Sequence, residues 1–275
     1  MKFERVSRIL YATPWAIKPE VYMAFHSAFQ AKIEGRKVEI FGEEMEYDHP
    51  DAYEVIKGVA VIKIHGALGH RISDIDKACM GAVDYLDIQS AIEKAENDQS
   101  VSSILLHISS PGGMVTGLPE TAQRIADASK PTVAFTDDLA ASAGYYLACS
   151  CDSIYATHSA QVGCIGTLMT WIDVSAAYEM QGVKRELVAS GKYKGMLMPG
   201  MPLTDDQRAL LYSEVNKLSD EFKAHVISNR GPIDAAHMEG QTLWGNDART
   251  AHLVDEIGLF EDALTEASDM AAELE

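Results

Sequence analysis

The chain has 275 residues, of which 47% are hydrophobic and 23% charged, and 41 Asp and Glu against 23 Lys and Arg leave a formal charge of −18. That is the composition of a globular protein, not a disordered one. So acidic a balance argues against a nucleic-acid partner, whose phosphates need a basic surface, and against adhesion to anionic membranes.

Residues 1–45 read as an N-terminal helical arm. Its first residues lack the apolar core of a signal peptide, and no run of about 18 apolar residues occurs in the chain. Pro14 and Trp15 mark a turn. Val21, Phe25, Phe29 and Ile33, at four-residue steps, predict a helix over 19–33. Residues 46–56 read as an acidic linker holding Pro50.

From Lys57 to about 265 the pattern is that of one α/β domain. Short apolar runs predict strands at 58–64, 103–108, 131–135, 153–156, 162–168 and 184–189. Helices are predicted at 87–97, with Asp87 as cap, and at 118–129, 142–150 and 173–181. Strands and helices alternating at this spacing argue for a largely parallel sheet. Residues 67–86 read as a loop-like insertion over the site or along a substrate groove. Thr204 and Gln207 form a capping box for a long helix striped by Leu211, Val215, Leu218, Phe222 and Val226. That stripe is core or subunit interface. Two last helices fall at 246–256 and 260–274, with 266–275 set down as an acidic C-terminal tail.

Cys79, Cys149, Cys151 and Cys164 give no disulfide framework and no metal-ligand spacing, so reduced, buried thiols in a cytosolic protein are expected. No metal or cofactor is expected.

Three segments can carry chemistry. Ser110-Pro111-Gly112-Gly113 follows an apolar strand, and its glycines let backbone N–H groups approach a ligand. Ser142 opens an apolar helix among small residues. It is either an N-cap or a nucleophile, the latter with the Ala143 N–H and the helix dipole facing an oxyanion. Ser190-Gly191-Lys192-Tyr193-Lys194-Gly195 follows the predicted strand 184–189. A serine nucleophile needs a base. None of the nine histidines is placed for that role by pattern, and a buried, deprotonated lysine can fill it.

Together, and in this order, the segments resemble the signal peptide peptidase A family of serine proteases. Val162-Gly163-Cys164-Ile165-Gly166 and Leu243-Trp244-Gly245 through Asp255 are similar to two further motifs of that family. The resemblance implies a ClpP/crotonase-like fold of repeated β-β-α units and a Ser–Lys dyad with Ser142 as nucleophile and Lys194 as base. It also implies an oxyanion hole from Gly112, Gly113 and Ala143, with Cys164 where the family has a serine that orients the lysine. The layout is closest to phage head-maturation proteases. That implies polypeptide substrates, capsid or scaffold proteins among them, a homo-oligomer, and a cytoplasmic place, in the host cytoplasm or an assembling capsid. Four other readings stand beside it, the first a soluble cellular peptidase of the same family that degrades peptides. A ClpP-like Ser-His-Asp protease would need a histidine about 25 residues past Ser142, where Thr167 stands. A crotonase-like acyl-CoA enzyme would use the oxyanion hole without the serine. An inactive scaffold would keep the fold alone. The three segments hold no Asp or Glu and two lysines, which predicts an uncharged or slightly positive cleft inside an acidic shell.

Overall fold

The structure, a computed structural model, describes residues 13–33, 52–72, 77 and 81–274. Cys79 and most of the acidic linker lie outside the described residues. The six-stranded main sheet has the order β13(Glu256–Ile257)–β10(Ser153–Ala156)–β8(Thr132–Thr136)–β6(Ser103–Ser109)–β3(Val59–His65)–β2(Glu54–Ile56). All pairs are parallel except the β2–β3 edge. The linker reading therefore ends early: Glu54–Ile56 already form the edge strand.

Each long strand runs on into a short one that leaves the sheet. β3 leads to β4(Ala67–Gly69), β6 to β7(Gly112–Met114), β8 to β9(Leu139–Ala141) and β10 to β11(Gln161–Gly163). Three of these pairs feed helices: α2(Tyr85–Asn97), α3(Leu118–Ala126) and α4(Ala143–Ala148). This is the expected ClpP/crotonase-like succession of β-β-α units. The short strands form two small sheets, β1(Trp15–Ile17)–β7–β4–β5(Ala82–Asp84) and β12(Thr242–Trp244)–β11–β9. Residues 67–86 are thus not simply loop: their two ends are strands β4 and β5, paired with each other.

The continuous apolar character of β3 has a simple cause, since both faces of the sheet are covered. Ala60, Ile62 and Ile64 face one core, with Ile88 and Ile92 of α2 and Tyr145 of α4. Val59 and Val61 face a second core, with Ala263, Leu264 and Ala267 of the last helix, α8(Phe260–Ala272). Residues 266–272 are therefore packed helix, not tail. Tyr145 is fully buried, and its hydroxyl donates to the Leu253 carbonyl at 2.8 Å. Tyr145→Phe should destabilise the protein by about 1–3 kcal/mol, because that buried carbonyl loses its donor. Urea unfolding checks it.

Other elements shift by a few residues. α2 is capped by Asp84, whose carboxylate accepts from Leu86 N–H at 3.0 Å, and Asp87 lies inside the helix. The arm helix α1(Pro19–Ile33) and the Thr204–Gln207 capping box of α6(Asp205–Arg230) are present, α6 following the short α5(Ser175–Met180). On the α6 stripe Leu211, Phe222 and Val226 are buried, while Val215 and Leu218 are half-buried. The helix expected at 246–256 is the shorter α7(Gly245–Thr250). The strand expected at 184–189 does not form: residues 183–189 are exposed chain without a ladder. Its apolar residues suggest a strand, but among the described residues no neighbour offers it an edge. Among the described residues no helix is long and apolar enough to cross a membrane.

Candidate active site

Ser142 sits on the sharp turn between β9 and α4, at φ +53° and ψ −119°. A non-glycine residue rarely holds such a conformation, and strain of this kind concentrates where a side chain must be presented to a reaction. The turn is fixed on several sides. Ser142 N–H donates to the Gly163 carbonyl at 2.7 Å, and its own carbonyl accepts from Tyr146 N–H at 2.8 Å. The hydroxyl is buried and, among the described residues, has no hydrogen-bond partner. Ser142 occupies the N-cap position but makes no side-chain cap. The capping role, open from sequence, is thereby removed. With six residues, α4 is too short for the expected dipole to weigh much, so the local N–H groups matter more.

The Ser110-Pro111-Gly112-Gly113 turn lies directly against Ser142. A Cβ built on Gly112 would fall 2.8 Å from Ser142 Cβ and 3.0 Å from Ala143 N. Gly112 has φ +101°, which glycine alone adopts without strain. The fold thus brings Gly112, Ala143 and Ser142 together from segments some thirty residues apart. Ala143 is the first residue of α4, and its N–H has no carbonyl four residues back within the helix to bind.

Ser110 has a role that its place in the motif alone does not show. It is fully buried, donates to the Gly66 carbonyl at 2.7 Å, and accepts from Gly112 N–H at 3.2 Å. Its backbone also bonds Leu139 and Ala141 of β9. Ser110 therefore holds the glycine turn through its side chain and the strand that delivers Ser142 through its backbone. A serine directly before Pro-Gly-Gly was the available signal.

Cys164 also faces Ser142. It is 5% exposed, at φ +56°, and burial pushes its thiol up to about 11, with Lys18 and the Ser142 hydroxyl pulling the other way. At pH 8 only about one thiol in a thousand would then be ionised. Native Cys164 should accordingly resist iodoacetamide at pH 8 and react once the chain is unfolded, as peptide mass spectrometry can show. Beside it opens a cleft of about 280 Å³ lined by Ile17, Ile165, Thr167, Leu168 and Met238, with the Lys223–Glu239 ion pair among its walls.

Lys194 is not brought to Ser142. It lies in an exposed turn whose backbone N–H bonds the Gly191 carbonyl at 3.3 Å, and the Ser142 hydroxyl bonds nothing. Lys192 pairs instead with Asp206 at 3.0 Å, so a carboxylate of α6 faces a segment that holds none itself. Among the described residues no histidine bonds Ser142 either: His158 is exposed, and His225 stacks on Tyr146 with ring centres 3.8 Å apart.

A strained, buried serine on a strand–helix turn, flanked by a glycine-rich backbone turn, is the arrangement of enzymes that act on a carbonyl through serine. The model of peptidase family S49 matches residues 124–275, and the chain belongs to that family. Capsid assembly protease C of Escherichia phage lambda is 32% identical over 79% of this chain and 50% of its own length. An Enterococcus faecium protein described as a signal peptide peptidase of the SppA type is 31% identical over 63% of this chain and 52% of its own. The chain thus spans about half the length of these relatives. Among solved structures, an enoyl-CoA hydratase/isomerase family member aligns over 81% of this chain and 75% of its own, with a TM-score of 0.45 at 16% identity. A likeness at that level carries no functional argument.

Proposed function

We propose that the chain is a serine endopeptidase in which Ser142 attacks the peptide carbonyl and Lys194 takes and returns the proton. The observation that carries this reading is the Ser142 turn. Its strained backbone presents a hydroxyl that caps nothing and bonds nothing, beside the Gly112 turn and the first N–H of α4. Attack by Oγ would form an acyl-enzyme and release the amine, protonated by Lys194, after which water would release the acid. Backbone N–H groups of Ala143 and the Gly112–Gly113 turn would hold the oxyanion.

Lys194 must reach Ser142 by a route that one chain does not display. Val188 is 99% exposed, and Val183, Leu187, Tyr193 and Met198 of the same stretch are also exposed. An apolar segment of this kind is an association surface. A homo-oligomer that folds 183–198 over a site, its own or a neighbour's, would bury that surface and desolvate the lysine as a base requires. Lambda protease C makes polypeptides of an assembling capsid the natural first substrates to try. The small residues flanking Ser142 favour small or apolar side chains before the scissile bond. Trapping a slow peptide ester as an acyl adduct on Ser142, located by mass spectrometry, tests the reading, and an adduct on any other residue overturns it.

A further inference from the structure

The arm does not merely precede the domain. Strand β1 runs antiparallel to β7, with Trp15 opposite Met114, Ala16 opposite Gly113 and Ile17 opposite Gly112. Lys18 N–H donates to the Pro111 carbonyl at 2.8 Å, and Val115 N–H to the Pro14 carbonyl at 3.4 Å. Hydrogen-bonded and non-bonded pairs alternate along an antiparallel ladder, so between these two bonds Ala16 and Gly113 are the pair that bonds. Gly113 N–H, one of the expected oxyanion donors, is therefore turned to the Ala16 carbonyl. That carbonyl oxygen also lies 2.2 Å from where a Gly112 Cβ would stand, the same point that is 2.8 Å from Ser142 Cβ. On its other edge β1 is bonded too: Trp15 and Leu168 exchange both backbone bonds at 2.9 Å. Lys18 reaches Gln161 Oε1 at 3.0 Å, and Tyr22 of α1 meets Thr170 Oγ1 at 2.5 Å. Trp15, Ala16 and Ile17 are 5%, 0% and 2% exposed.

We infer that β1 is a plug in cis: it fills the groove between the Gly112–Met114 edge and the Leu168 edge, which an extended peptide would have to enter to reach Ser142. The inference rests on Ser142 being the reacting group. Both edges of the groove carry unmade ladder bonds once β1 leaves, and an edge of that kind takes up an extended strand in its place. The arm and an incoming peptide therefore compete for the same backbone groups. Release of the arm, by an added partner or by a cut in it, opens the site.

Access to position 142 can be read without turnover and without Lys194. In the full chain carrying Ser142→Cys, the rate of iodoacetamide alkylation at residue 142, located by peptide mass spectrometry, reports the state of the groove. Adding Ala16→Pro removes the amide of the bonded pair and should raise that rate at least tenfold, while Ile17→Val should leave it within twofold. Should Ala16→Pro fail to fold, Trp15→Ala with Tyr22→Ala loosens the same arm without touching the groove's edges, and the same rise is expected. An unchanged alkylation rate in a folded variant whose β1 amides exchange freely with deuterium overturns the plug. A rise in alkylation, with no digestion of an unstructured protein by the Ser142 form of the same arm variant, upholds the plug and overturns the Ser–Lys reading instead.

Discussion

Ser142→Ala should lower cleavage of an unstructured protein by on the order of 10⁴-fold or more, the size of effect seen when a serine nucleophile is removed. Its effect on stability should be small, because among the described residues the hydroxyl makes no hydrogen bond that the substitution would remove. Ser142→Gly separates function from strain. Glycine adopts positive φ freely, so this variant should be as inactive as Ser142→Ala yet more stable by about 1 kcal/mol. Thermal unfolding of both variants beside the parent reads the difference, after allowing for the extra chain entropy glycine brings to the unfolded state. A destabilised Ser142→Gly protein would mean that the turn is held by the serine itself and not imposed on it. Lys194→Ala should match the activity loss with no change in unfolding, since the exposed turn makes no buried contact that the substitution removes.

Gly112→Ala should damage the site directly. The added Cβ meets the Ala16 carbonyl, Ser142 Cβ and Ala143 N at once, at 2.2, 2.8 and 3.0 Å, and the residue would have to hold φ +101°. None of these three neighbours is the flexible end of a side chain, so the turn itself must move. Moving it withdraws the donors expected to stabilise the oxyanion, a loss of about 10²–10³-fold in kcat. The left-handed conformation adds about 1–2 kcal/mol of destabilisation. A peptide assay with thermal unfolding of the same sample checks both. An active Gly112→Ala enzyme would place the oxyanion donors elsewhere. Because expelling β1 would by itself favour access, falling activity in Gly112→Ala together with rising activity in Ala16→Pro would assign the two effects to different parts of the site.

Much of this fold was legible in the sequence for one physical reason. Runs such as Val59–Ile62 and Ile104–Leu106 are apolar at every position because both sheet faces are covered, and such runs read as buried strands without reference to a partner. The helix start at Thr204 was legible because a capping box is local chemistry. The glycines at 112 and 113 announced a turn for the same reason: φ is a property of one residue. Residues 184–189 failed because a strand exists only where an edge accepts its bonds, and composition cannot report that edge.

By itself the sequence determined which residue types stand ready: a serine among small residues, a glycine turn, two lysines between glycines, and the family pattern that orders them. Only the tertiary structure decided which of them meet. It placed Gly112 and Ala143 on Ser142, made Ser110 their tie, left Lys194 on an exposed turn, and laid Trp15–Ile17 across the groove. These are long-range backbone pairings, and strands as short as three residues have no side-chain signature strong enough to name their partner in advance.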